Sequence, residues 1–200
     1  MIRASLAICL ALIGCDDSPP SSDEEADARP RVDSPDAAPP IDDSDVPHQV
    51  VFATSSKQSG DLGGLGAADD ICAARAADAG LDGTFLAWLS SPDEPAGARL
   101  THASTPYART DGVEVAADWE DLVDGELSAP IDRDENGGRI DGDVWTGTLT
   151  SGEPADVTCA GFADPDVTGV CGSSDAADGA WTDNIRPPCT SALRLYCVQE

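Results

Sequence analysis

The sequence predicts a mixed α+β domain over residues 49–200, rich in loops and stapled by cysteines. Three observations carry that prediction. One segment, 67–79, has the length and composition of a helix of several turns. Four short segments, at 50–54, 84–89, 143–148 and 193–198, read as strands, of which 84–89 is a continuous apolar run. The stretches between them are rich in Gly, Pro and Asp, and five cysteines are spread over residues 49–200. Few regular elements on long connections form a mixed domain, and about 150 residues suffice for a single core.

Taken in order, the first strand (50–54, VVFAT) runs out into Ser and Lys and is followed by a Gly-rich turn at 60–64. In the helix at 67–79, Asp69 and Asp70 suit the positive N-terminal end and Gly80 closes the last turn. Ile71, Cys72 and Arg75 fall at helical spacing, with Ala filling the gaps. The run TFLAWL at 84–89 is continuously apolar, as a strand buried on both faces would be. Asp118 introduces a helical turn at 119–123, ended by Asp124-Gly125. No internal repeat is present.

Ahead of the domain stand two segments of different character. Residues 1–14 place one cation, Arg3, before a short apolar run and a small Gly14, which describes an export signal. The run is far shorter than the roughly 20 apolar residues that span a bilayer. Leu12-Ile13-Gly14-Cys15 resembles the lipobox of bacterial lipoproteins, which implies cleavage before Cys15, lipid on that cysteine and a membrane anchor. Asp16 follows the cysteine, and the choice of leaflet and of inner or outer membrane stays open. Residues 15–48 then form a linker of Asp, Ser, Pro and Ala, with 11 acidic and 2 basic residues and almost nothing to bury. Such composition predicts a disordered tether, and some 33 residues of flexible chain reach at least ~30 Å.

Charge narrows the partners. Residues 49–200 hold 27 acidic and 8 basic residues, a net charge of −19. That surface repels phosphate backbones and heparin-like polyanions, so nucleic acid is excluded, while cations or a basic partner suit it.

Of seven cysteines, Cys9 leaves with the signal and Cys15 takes lipid. Cys72, Cys159, Cys171, Cys189 and Cys197 remain, an odd number in an oxidising compartment and without a CxxC pair. Disulfides are favoured over zinc, and their pairing is open.

The stretch at 60–91 resembles the opening of the endostatin domain of collagens XV and XVIII: a Gly-rich turn, a cysteine-bearing helix, Gly83-Thr84-Phe85 and Ala87-Trp88-Leu89-Ser90-Ser91. The likeness continues through Asp118-Trp119-Glu120-Asp121-Leu122 and Asp143-Val144-Trp145-Thr146-Gly147, then from Cys159 to Leu195-Tyr196-Cys197-Val198. It extends to bacterial secreted and lipoprotein modules of the DUF1554 type. The resemblance implies a C-type-lectin-like fold and nested disulfides, Cys72–Cys197 around Cys159–Cys189. Cys171 has no counterpart and is expected to be a free thiol. The histidines of that family's zinc site are represented only by His48, and its heparin-binding arginines face an acidic domain here. Neither property is carried over.

Candidate sites follow from local patterns. Residues 132–143 match the calcium-loop order D-x-D-x-N-G, with Asp132, Asp134, Asn136 and Asp143 as the possible calcium ligands. Against them stand Asp for the final Glu, Arg139 at the usual apolar position, and Pro130 where a helix would enter. The competing expectation is an acidic hairpin bending at Asn136-Gly137, with Asp143 opening the next strand. Asp164-Pro165-Asp166 is a weaker stretch of the same kind. Trp88, Trp119, Trp145 and Trp181 read as core, with Trp181 the one expected exposed for ligand binding. His102 lacks a recognisable nucleophile motif, and no pair of carboxylates is singled out for hydrolysis. The expected function is non-enzymatic binding or adhesion towards an extracellular protein or glycan, with calcium-dependent carbohydrate binding as the alternative and a carboxylate hydrolase the remote one.

Overall fold

The described residues form a seven-stranded sheet in which the first strand, Gln49–Ala53, pairs with the last, Arg194–Gln199. In order the elements are β1 (Gln49–Ala53), α1 (Leu65–Ala79), β2 (Phe85–Ala87), α2 (Ala96–Arg99), β3 (Tyr107–Arg109), β4 (Glu114–Ala116), α3 (Trp119–Leu122), β5 (Asp143–Trp145), β6 (Cys171–Ser173) and β7 (Arg194–Gln199). This computed structural model describes residues 47–200. The export segment, Cys15 and the tether up to residue 46 lie outside the described residues. Among the described residues no helix is long and apolar enough to cross a membrane.

The strand order is β4-β3-β1-β7-β5-β6, with β2 also on β7. One edge of β7 takes β1 antiparallel, Phe52 opposite Cys197. The other takes β5 in parallel at Arg194 and Leu195, then β2 antiparallel from Cys197 to Gln199. β7 is the longest strand, six residues, and it takes three partners on its two edges.

The expected strand at 143–148 stops at Trp145. Thr146 and Gly147 both donate their amides to the single Val170 carbonyl, which ends the regular ladder. The run 84–89 pairs only over Phe85–Ala87, although Trp88 and Leu89 remain fully buried.

Strand alternation divides the core in two. Phe52, Leu195 and Cys197 point to the α1 side, where Leu65, Ala68, Cys72 and Ala76 meet them. Val51, Ala53, Tyr196 and Val198 point the other way, under Trp88, Trp119, Leu122, Leu127 and Ile131. The second face has no long helix. Loops from Ala96 to Ile140 cover it, so its aromatic rings replace helical bulk.

α1 begins at Leu65, two residues earlier than the sequence pattern indicates, and Gly80 caps it in the left-handed conformation. That shift moves Asp69 and Asp70 out of the first turn. Asp69 instead accepts Arg99 Nη2 on its two carboxylate oxygens, at 2.7 and 2.6 Å, and accepts the Ala87 amide. Arg99 also donates to the Ala87 and Leu89 carbonyls. One carboxylate thereby ties α1, β2 and α2 together.

Cys72 bonds Cys197 and Cys159 bonds Cys189, the nested pairing the resemblance implies. Cys171 is a buried free thiol on β6. Beside the inner disulfide, residues 159–162 form a left-handed turn: φ is 52° at Cys159, 51° at Ala160, 75° at Gly161 and 61° at Phe162. Left-handed backbone costs roughly 1–2 kcal/mol for each non-glycine residue. The turn is held by the disulfide, by the fully buried Phe162 ring, by the Thr158 side chain on Gly161 N–H, and by the Phe162 carbonyl accepting from Leu62 and Gly64.

Four fully buried hydroxyl residues, Ser90, Thr146, Thr148 and Thr182, join the strand ends. Trp88 Nε1 donates to Thr182 Oγ1 at 2.8 Å, and that hydroxyl donates to the Thr148 carbonyl at 3.0 Å. Thr148 Oγ1 donates to the Thr146 carbonyl at 2.6 Å and lies 2.9 Å from Ser90 Oγ. Ser90 Oγ in turn accepts the Ala96 amide.

Candidate functional site

The segment Pro130–Asp143 closes as a hairpin and not as a metal loop. Arg133 pairs with Arg139 across it, Asp134 N–H donates to Gly138 O, and Gly137 N–H donates to Asp134 O. Gly137, at φ 80°, takes the left-handed position that a three-residue hairpin loop requires. The bend therefore includes Asn136-Gly137, and Asp143 opens β5 opposite Ser173.

This geometry corrects the calcium expectation. Asp132 is almost fully buried and surrounded by guanidinium groups, from Arg109, Arg133 and Arg139. Asp134 Oδ1 accepts the amides of Asn136 and Gly138, and Asp143 belongs to the sheet. The carboxylates expected to converge on calcium are spent on arginines, a turn and a strand. Among the described residues, no group of three or more His, Cys, Asp or Glu side chains is placed to hold a metal ion. Arg109 and Arg133 continue to Asp111, so the hairpin is clamped to β3 by an alternating ion-pair chain. Glu135, also buried, accepts the amide and hydroxyl of Ser55. Asp164 only accepts the Asp166 amide in a local turn.

Trp181 is likewise corrected. It is 1% exposed, packed on Trp88 at 5.0 Å and on Tyr196 at 5.8 Å between ring centroids. Its short 3-10 turn, Gly179–Trp181, lies so close behind β6 that a Cβ on Gly172 would sit 1.8 Å from the Trp181 carbonyl oxygen. The glycine in β6 admits the turn, and the turn carries the ring inward. Of the four tryptophans, Trp119 has the greatest exposure, at 8%.

Trp119 lies in an open cleft of about 320 Å³ lined by His102, Ala103, Ser104, Asp118 and Glu120. Asp118 accepts the Asp121 amide and so starts α3, which presents Trp119 and Glu120 on consecutive positions. The facing loop is fixed by backbone: Trp119 N–H donates to Ala103 O at 2.9 Å. Tyr107 OH accepts from Ala103 N–H and donates to Thr101 O. The Glu200 carboxylate, at the chain end, accepts the amide and hydroxyl of Thr101.

His102 stacks on Trp119 with ring centroids 4.1 Å apart and planes within 9°. Its Nε2 lies 2.7 Å from the Gly97 carbonyl. A carbonyl only accepts, which assigns the proton to Nε2 and leaves Nδ1 as the ring's remaining nitrogen. Burial pushes the Tyr107 hydroxyl above its ordinary pKa; the Glu200 and Asp118 charges add to that rise, and the Ala103 amide opposes it. Two carboxylates are therefore felt at the floor of the loop, and Glu120 stands exposed at the rim.

No serine or cysteine nucleophile is hydrogen-bonded to His102 among the described residues; its partners are the Gly97 carbonyl and the Trp119 ring. Cys171 is a buried thiol on β6. Burial, then the Asp143 charge, pushes its thiol up to about 12, so the nucleophilic thiolate is scarce at neutral pH.

The sequence pattern brings forward His102 and Trp119 only separately, one as a lone base and the other as core. Their stacking depends on the Ala103–Trp119 backbone bond, which joins a loop to a helix turn 16 positions later. Compared with known proteins, the sequence matches no family model and no curated sequence.

Proposed function

We propose that the chain is an exported, lipid-anchored, non-enzymatic binding or adhesion module. In this reading Cys15 carries the anchor, residues 16–48 hold the domain away from the membrane, and the domain has an endostatin-like, C-type-lectin-like architecture. It engages an extracellular protein through the loops that cover the β1–β7 face.

The observation that carries the reading is the pairing of an acidic, open aromatic cleft on those loops with a core clamped by two nested disulfides. Binding surfaces are commonly built on loops positioned by a rigid scaffold. A net charge of −19 over residues 49–200 favours a basic protein over polyanions and speeds its encounter.

The test has two arms. Metabolic labelling with a fatty-acid analogue should mark the wild type and not Cys15→Ser, which should leave the membrane fraction. The mature full-length protein, applied to arrays of extracellular proteins and glycans, should retain basic proteins in a salt-sensitive manner. Retention of neutral glycans alone would make the module a lectin, and Cys15→Ser remaining lipid-labelled would remove the anchor.

A further inference from the structure

We propose that the His102–Trp119 cleft receives an arginine side chain from a basic protein partner, an assignment that rests on the binding-module reading above. Three features select that chemistry.

The first is the lining. Asp118 and Glu120 contribute carboxylates, which only accept hydrogen bonds. Asp118 Oδ1 is already used by the Asp121 amide. Glu120 is exposed. The Ser104 hydroxyl turns to suit a donor. The backbone groups closest to the cleft are consumed internally, Ala103 N–H by Tyr107 OH and Ala103 O by Trp119 N–H. A ligand meeting these groups must be rich in donors.

The second is the aromatic ledge. His102 presses one ring face on Trp119 and is otherwise exposed, so the opposite imidazole face is a flat platform at the cleft. A guanidinium is planar, stacks on aromatic faces and offers a fork of donors to carboxylates. An ammonium is a hydrated point charge and uses the platform less well.

The third is the absence of competing cations in the cleft itself. Arg99, on the neighbouring helix α2, is committed to Asp69 and to the Ala87 and Leu89 carbonyls, with Glu94 at 3.8 Å. Among the described residues lining the cleft there is no Lys or Arg. Glu200, anchored on Thr101, adds a further negative charge beside the loop.

A hexa-arginine peptide titrated into the mature full-length protein, read by tryptophan fluorescence and calorimetry, tests the assignment. Glu120→Gln and His102→Ala are the site variants. Asp166→Asn removes the same unit charge from an exposed loop elsewhere. Each site variant should weaken binding about tenfold, the equivalent of one stacked, charge-assisted contact. Asp166→Asn should change it less than twofold, and hexalysine should bind more weakly than hexa-arginine.

Equal losses in all three variants would overturn the cleft assignment and leave the general attraction of the acidic domain standing. No binding of either peptide would overturn both that attraction and the cleft. Because His102 supports the Trp119 ring, Glu120→Gln, whose side chain is at the rim, decides the matter if His102→Ala alters the unfolding midpoint.

Discussion

Replacing Thr182 by Val tests the buried hydroxyl network with almost no change of shape. Thr182 is fully buried, and its hydroxyl both accepts from Trp88 Nε1 and donates to the Thr148 carbonyl. The substitution exchanges that hydroxyl for a methyl and orphans an indole donor in a fully buried ring. Leaving a buried donor unsatisfied costs about 1–3 kcal/mol, and the lost bond to Thr148 adds roughly 0.5–1.5 kcal/mol. The expected loss is about 1.5–4.5 kcal/mol. Thr182→Ser keeps the hydroxyl and loses one methyl, about 1 kcal/mol.

Urea unfolding with the disulfides intact, followed by fluorescence and circular dichroism, measures both. A double-mutant cycle isolates the mechanism: in a Trp88→Phe background the donor is gone, so Thr182→Val should cost about 1–3 kcal/mol less than in the wild type. A Val variant within about 0.5 kcal/mol of wild type, or a cost unchanged in the Trp88→Phe background, would refute the network as a source of stability.

Other outcomes follow from the same structure. Replacing Cys72 and Cys197 by Ala opens a loop of 125 residues and should destabilise by about 5 kcal/mol, against about 3.6 kcal/mol for Cys159 and Cys189, which span 30; equal losses in denaturation would contradict the loop-closure account. Burial pushes the Asp111 carboxyl up, but the Arg109 and Val113 hydrogen bonds and the Arg109 and Arg133 charges outweigh it, so it stands below its ordinary value. Its stabilising effect is complete above the unfolded value of about 3.9 and is lost as pH falls through the lower folded one. Asp111→Asn should therefore flatten the acid limb of stability against pH, and an unchanged limb would discount the pair. Cys171 should resist iodoacetamide in the native protein at neutral pH and react on unfolding; mass spectrometry showing rapid native alkylation would contradict its burial. Millimolar calcium should leave the thermal midpoint where EDTA leaves it, and a rise of several degrees would restore Asp132 as a ligand.

Period and punctuation made part of this fold legible. The helix with its Gly80 stop, the short segments that became β1, β2, β5 and β7, and the Asn136-Gly137 bend are local signals, since neighbouring residues alone determine them. β3, β4 and β6 left none, since Tyr107–Arg109, Glu114–Ala116 and Cys171–Ser173 carry no run of large apolar residues to mark them as strands. The calcium-like spacing at 132–143 was misleading for the same reason. Spacing reports which oxygens stand near one another along the chain, and Arg109, which claims Asp132, comes from 23 positions away.

By itself the sequence determined the acidic charge, the α+β class, the main helix and the cysteines available to pair. Each depends on composition or on contacts within a few residues. Only the tertiary structure decided that Trp181 turns inward, that buried Trp119 borders a cleft, that Asp69 holds Arg99 instead of a helix end, and that His102 rests on an indole ring. These depend on which distant segments the sheet brings together, and β7 sets that arrangement by pairing with β1, β2 and β5.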